Sequence, residues 1–353
     1  MPYGIGLIGN RAHQNTFGPI LHNRPDCQIV AAAEHLAAKG APLEQAYGVR
    51  CVRDYDAVLE DPAVDIVSIA TDFYLKRTLI KKAIESGKHV LVDKPLARTV
   101  REAREIADAA RSSATKIVLS YPQRFDAATA ELARRLKRPE CGRVVSYTHH
   151  FVRQFPDSDL MQYVSYPTEP RINGGGELMN LGSHPVDFLY GVYGMPKRVY
   201  ARFETAYWPE VYTALGTEDM AFLLCEYDGF TATIVTGRNK VTEEGMAAAN
   251  SLEVVCQGEH MRVEGDLFTI NGIPTPVAPT DYPGADGCVQ HLIECIEQDA
   301  EPQTGIRNGV AVAELTTAAY QSAQAGAFVD RPLQDDRHPQ LADDEQLIDG
   351  LLD

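Results

Sequence analysis

Two segments of this chain concentrate residues whose types suit proton handling. In residues 174–187 three consecutive glycines, Gly174, Gly175 and Gly176, precede Asn180 and His184. The glycines let backbone pass close to a ligand or another chain. The pattern predicts a helix after them, on which Asn180 and His184, four residues apart, share a face. An imidazole titrates near neutrality, so His184 suits removal of an alcohol proton as hydride leaves the carbon. A histidine satisfied in a core is the competing structural reading. In the second segment, Lys94 stands directly before Pro95, a position that disfavours helix, and so at the end of the apolar run 89–92. An ammonium there would hold a substrate hydroxyl and stabilise a developing alkoxide; a surface lysine is the alternative.

A third group bears on a nucleotide. The first apolar run ends in Gly9, followed by Asn10 and Arg11. A dinucleotide fingerprint asks for glycine at 9, 11 and 14, and only Gly9 is present. The place is nonetheless where a helix N-terminus would meet a pyrophosphate, with Arg11 contributing a guanidinium. Glu34 closes the second run, where an acid accepts hydrogen bonds from an adenosine ribose and repels a 2′-phosphate. That reading favours NAD over NADP; the alternative is a solvated loop carboxylate.

The elements that must carry these residues follow from periodicity. Apolar runs at 4–8, 28–33, 66–70, 89–92 and 116–120 alternate with helix candidates at 14–22, 42–47, 76–86 and 101–112. In the third of these helices Leu79, Ile80, Ala83 and Ile84 form one face, with lysines assigned to the other. Such alternation predicts a doubly wound parallel sheet with its ligand crevice at the strands' carboxyl ends. After Tyr121 the rhythm becomes strand-rich, with runs at 143–150, 198–205, 220–227, 231–236, 252–256 and 261–264. Several alternate apolar and polar residues, as an antiparallel sheet with one solvated or interface-forming face does. The expected class is α/β, with a Rossmann domain over 1–121, a second α/β domain over 122–334 built on a large open, mainly antiparallel sheet, and a peripheral acidic tail over 335–353.

Composition narrows the function classes. A formal net charge of −16 argues against nucleic acid and anionic membrane as partners. No apolar run approaches the roughly 18 residues of a membrane span, and no export signal is read at the N-terminus, so a cytoplasmic protein is expected. The seven cysteines are scattered with no C-x-x-C pair, and His149 and His150 point to opposite faces of a strand, so no metal site is expected.

Four stretches together make the chain similar to a known family: residues 93–97, 121–126, 174–187 and 306–333. The chain resembles the glucose–fructose oxidoreductase/inositol dehydrogenase (Gfo/Idh/MocA) family over nearly its whole length. The resemblance implies a nicotinamide-dependent oxidoreductase acting on a secondary alcohol of a sugar, polyol or cyclic polyol, assembled as a homodimer or homotetramer. It implies Lys94 as catalytic lysine, His184 as proton acceptor and Asn180 completing the set, at a position where many members carry Asp. Gly9, Asn10, Arg11, Glu34, Thr71, Asp93 and Lys94 are then the cofactor residues. Tyr121, Gln123, Tyr163 and Arg171 join Lys94, Asn180 and His184 as substrate residues, although loop polarity accounts for Tyr163 and Arg171 equally well. The chain departs from the family where Thr71-Asp72-Phe73 replaces Thr-Pro-Asn, where Lys76 stands near the usual histidine, and where Asp93 replaces Glu. Two other readings compete: a reductase of a dicarbonyl or anhydro sugar, and a non-catalytic sensor of NAD or sugar on the same fold.

Overall fold

Buried parallel strands read as short apolar runs, and the first sheet is built from such runs. A computed structural model describes residues 2–11, 13–155, 170–240 and 250–341. In it β1 (Tyr3–Ile8), β2 (Cys27–Ala33), β3 (Cys51–Val52), β4 (Ile66–Ile69), β5 (His89–Val92) and β6 (Ile117–Leu119) form a six-stranded sheet. Its order is β3-β2-β1-β4-β5-β6, with every pairing parallel. The connecting helices include α1 (Gln14–Asn23), α2 (Ala37–Tyr47), α3 (Asp56–Leu59), α4 (Phe73–Glu85) and α5 (Val100–Ala110). Parallel pairing with helical crossovers brings the ends of β1, β2, β4 and β5 to one edge, where the candidate cofactor residues lie.

The chain divides into two compact units, and the division differs from the expected boundary after residue 121. The first unit takes in Arg101–Phe125 and also Tyr282–Val310, from far along the chain. The reason is packing. The helix α10 (Gly284–Glu297) inserts Cys288, Val289, Leu292 and Ile293 into one core with Ile5, Leu7, Phe17 and Leu21. The Leu119 N–H also donates to the Thr304 carbonyl at 2.8 Å.

The second unit holds α6 (Ala127–Arg135), β7 (Val144–Phe155), α7 (Pro170–Asn173), α8 (Ser183–Tyr193), β8 (Arg198–Glu204), α9 (Pro209–Leu215), β9 (Met220–Tyr227), β10 (Phe230–Lys240), β11 (Asn250–Cys256), β12 (His260–Glu264), β13 (Leu267–Ile270), β14 (Ile273–Pro274), part of α11 (Ile306–Ala325) and β15 (Val329–Asp330). Its nine strands run in the order β14-β13-β12-β11-β7-β10-β9-β8-β15. Only β7 and β10 pair parallel; the other pairings are antiparallel, so this is the mainly antiparallel sheet expected. His149 is buried and His150 half-buried, on opposite faces of β7.

Residues 335–341 are not a loose start to a tail, because His338 and Leu341 are buried and the His338 ring packs on Tyr320 at 4.6 Å. The rest of the expected acidic tail lies outside the described residues. No helix among the described residues is long and apolar enough to cross a membrane.

Candidate active site

The nucleotide half begins at Gly9. Its φ is +80°, and a Cβ there would sit 2.5 Å from the Ala70 carbonyl oxygen and 2.5 Å from Thr71 Cγ2. Only glycine allows the loop to turn this closely against the end of β4. Glu34, almost fully buried, accepts the Asn10 N–H at 2.9 Å and the Leu36 N–H at 3.0 Å. Asn10 Nδ2 donates to the Lys39 carbonyl at 2.7 Å. Glu34 therefore holds the loop as well as standing at the expected ribose position, and it is not a solvated carboxylate.

Arg11 pairs with the buried Asp72, and His13 Nδ1 lies 2.5 Å from Asp93 Oδ1. Burial raises the Asp72 carboxyl above its ordinary range, with Arg11 opposing. Burial acts the same way on Asp93, but His13, Lys76 and Lys94 outweigh it and hold that carboxyl far below the usual range. The Arg11–Asp72 ion pair and the His13–Asp93 contact thus tie the glycine-poor loop to the ends of β4 and β5.

Lys94 follows β5 and is buried, and its peptide bond to Pro95 is cis. Behind it Lys76, fully buried, donates to the carbonyls of Asp93, Lys94 and Pro95 at 2.6, 3.0 and 3.1 Å. The expected all-lysine polar face of α4 is therefore wrong at Lys76. With Leu79, Ile80 and Ala83 it follows the i, i+3, i+4, i+7 spacing of the buried face. That spacing was the signal that could have found it. Tyr121 is buried and Gln123 half-buried at the turn Pro122–Arg124 after β6.

These residues fit a dinucleotide. Gly9 admits the tight turn, the first turn of α1 carries no acid, and Glu34 retains carboxylate lone pairs beyond the two it uses. Asn10 Oδ1 is buried with no donor among the described residues, an acceptor suited to a ligand hydroxyl.

In the second unit the helix bearing Asn180 and His184 opens with a π-turn, Leu178–Gly182, before α8. Such turns occur frequently at functional sites. Two of the three glycines answer to close approach within the protein itself, Gly176 to the Glu218 carbonyl oxygen and Gly175 to Tyr320. Gly175 has φ +142°, and a Cβ there would lie 2.0 Å from the Tyr320 hydroxyl oxygen. That hydroxyl accepts the Gly176 N–H at 3.0 Å and donates to Glu218 Oε1 at 2.8 Å. Glu218 also accepts the Leu178 N–H at 2.9 Å, and burial pushes its carboxyl up to about 7.

Asn180 Nδ2 donates to Glu177 Oε2 at 3.0 Å. Glu177, buried, accepts on its other oxygen from Arg238 Nε at 2.7 Å and the Tyr212 hydroxyl at 2.9 Å. A carboxylate only accepts, so the Asn180 amide is turned with its oxygen away from Glu177. The His184 ring lies 5.2 Å from that of Phe151 and is 8% exposed. Glu218, Arg238, Tyr212 and Tyr320 were not assigned from sequence, since they reach this helix from distant positions; Glu177 was not assigned either, although its place three residues before Asn180 was a local signal for the contact. Arg171 falls in α7, and Tyr163 lies outside the described residues. No cluster of three or more metal-ligating side chains occurs among the described residues.

Comparison with known proteins decides the family. Residues 3–121 match the NAD-binding Rossmann fold of the Gfo/Idh/MocA oxidoreductase family, and residues 129–262 match its C-terminal domain. The chain belongs to that family. It spans about half the length of two relatives from Escherichia coli K12. An uncharacterized oxidoreductase is 30% identical over 56% of this chain and 54% of its own, and D-glucoside 3-dehydrogenase is 27% identical over 55% and 53%. An NADP-dependent D-xylose 1-dehydrogenase of Haloferax volcanii is 26% identical over 87% of this chain and 90% of its own. Among solved structures, levoglucosan dehydrogenase in complex with NADH and levoglucosan superposes with TM-score 0.81, at 19% identity over 94% of this chain and 100% of that one. At that identity the likeness speaks for the fold.

Proposed function

We propose that this Gfo/Idh/MocA protein is an NAD-dependent dehydrogenase of a secondary alcohol on a sugar, polyol or cyclic polyol. The observation that carries the reading is the buried Lys94 at the end of β5, on the same sheet edge as the Gly9 loop and Glu34. Lys94 holds the substrate hydroxyl and stabilises the oxygen as it loses its proton. His184 takes that proton, and Asn180 positions the reacting groups. When bound, the nicotinamide supplies the hydride acceptor in one direction and the donor in the other. Glu34 accepts from the adenosine ribose, and its charge repels a 2′-phosphate, which sets the preference for NAD. The sugar and inositol dehydrogenases among the relatives support the substrate class. We also propose that the chain assembles as a dimer or tetramer through the outer face of its nine-stranded sheet.

The test is a cofactor-reduction screen over aldoses, polyols and inositols with NAD and NADP separately, alongside calorimetric binding of both. The expected result is turnover of at least one member, tighter binding of NAD, and loss of roughly 10²–10⁴ in turnover for His184→Ala with NAD affinity unchanged. Wild-type turnover by His184→Ala would move the proton acceptor elsewhere.

A further inference from the structure

A buried lysine on an apolar helix face asks for an account, because burying an ammonium is costly unless its protons are taken up. Lys76 lies on α4 among Leu75, Leu79 and Ile80, where an apolar side chain would satisfy the packing. An apolar residue cannot donate three hydrogen bonds, and three carbonyl oxygens of the irregular stretch after β5 converge here. The Phe73 ring lies 4.6 Å from the ammonium and adds a face that favours the cation.

We propose that Lys76 is the positioning residue for Lys94: its ammonium gathers the carbonyls of Asp93, Lys94 and Pro95 and so fixes the backbone from which the Lys94 side chain departs. This deepens the dehydrogenase reading and rests on it for the role of Lys94. The three protons of an ammonium match three acceptors, whereas the neutral amine keeps only two donors. Burial pushes Lys76 down to about 7, with the Asp93 carboxylate opposing, Lys94 and Arg11 pushing further down, and Asp72 pulling up. The staple therefore loosens as pH rises through that value. The fold does not loosen with it. Between about 7 and the ordinary lysine range the unfolded chain binds a proton that the folded one has released, so this group's contribution to stability rises with pH.

The experiment compares turnover of wild type and Lys76→Met across pH, with hydrogen exchange over residues 93–97 and with Lys94→Met as the control. Lys76→Met should lower turnover roughly tenfold to 100-fold well below pH 7, the scale of a small misplacement of a reacting group. The deficit should narrow above that pH without vanishing, since the neutral amine keeps two donors that methionine lacks, and exchange over 93–97 should quicken. A deficit that is absent, or that stays flat with pH, overturns the proposal, since packing alone would not follow the ammonium's titration. Should Lys76→Met fail to fold, Phe73→Leu keeps the lysine and weakens its cation; the alkaline fall in turnover should then move to lower pH, and an unmoved fall overturns the idea. If Lys94→Met turns over at the wild-type rate, the dehydrogenase reading of Lys94 is what fails. Exchange over 93–97 then judges the anchoring alone, quickened in support or unchanged against it.

Discussion

At the scale of residues, the candidate site is set by carboxylates that accept from more than one partner. Glu177 is the plainest case, because Arg238 and Tyr212 hold one oxygen and so turn the other toward the Asn180 amide. That fixes what Asn180→Asp would do. The new carboxylate would face Glu177 at the present 3.0 Å hydrogen-bond distance, replacing a donor with a second acceptor. Stability should fall by about 1–3 kcal/mol, the cost of a buried bond lost with its partner left in place. The loss should deepen with rising pH, since two carboxylates this close must share a proton to coexist. Chemical denaturation of Asn180→Asp at several pH values measures this, and Glu177→Gln in the same chain should restore part of the loss by supplying a donor. Equal stability of Asn180→Asp and wild type at alkaline pH would show that the Glu177 contact is not made in solution.

At the scale of elements, the same logic explains what was legible in the sequence. Five of the six strands of the first sheet stand within a residue or two of their apolar runs, because strands buried on both faces need continuous Val and Ile. β3 was missed, as two residues carry no period. The helix candidate at 42–47 starts late, since α2 begins at Ala37 and contains Pro42. α9 was also missed. The N–H groups of Ala206, Tyr207 and Trp208 just before it are taken by the Asp219 carboxylate at 2.7, 2.8 and 3.0 Å, from beyond the helix's far end. Local signals for the helix itself were nonetheless present, in Pro209 and Glu210 of its first turn and the left-handed Gly216 after its end. Lys94, Asn180 and His184 stand out in sequence as residue types at telling positions, and Glu177 could have been paired with Asn180 by its i, i+3 spacing, while Glu218 and Tyr320 reach the helix only through the fold. Glu218 offers an element-scale measurement. Its folded carboxyl is raised to about 7, so its contribution to stability is full below about 4.5 and is lost as pH climbs toward 7. Glu218→Gln keeps an acceptor for the Leu178 N–H and should flatten that slope, gaining up to about 3 kcal/mol relative to wild type above neutrality. Thermal melts at a series of pH values would register it; parallel curves for the two proteins would assign the slope to other groups.

At the scale of the whole molecule, the nine-stranded sheet has two unlike faces. On β9 Ala221, Leu223 and Cys225 are buried, whereas Phe222 and Leu224 between them are 39% and 37% exposed. Their cross-strand neighbours extend the exposed rows. Phe222 sits between Arg202 and Val235, and Leu224 between Tyr200 and Thr233. Single exposed apolar residues need no explanation, but a patch of them rimmed by Arg and Thr is what interfaces look like. A second copy of this chain is the proposed cover, and a two-fold arrangement would let the same patch face itself. Light scattering at micromolar concentration should therefore report a dimer or tetramer, and Leu224→Glu should shift the mass downward by setting like charges against each other. Each copy carries a net charge of −16, so assembly works against long-range repulsion. Added salt screens that repulsion without weakening apolar burial, and association should tighten as ionic strength rises. A monomer at every ionic strength removes the assembly, and an assembly that dissociates with salt would mean that ion pairs, not Phe222 and Leu224, hold it together.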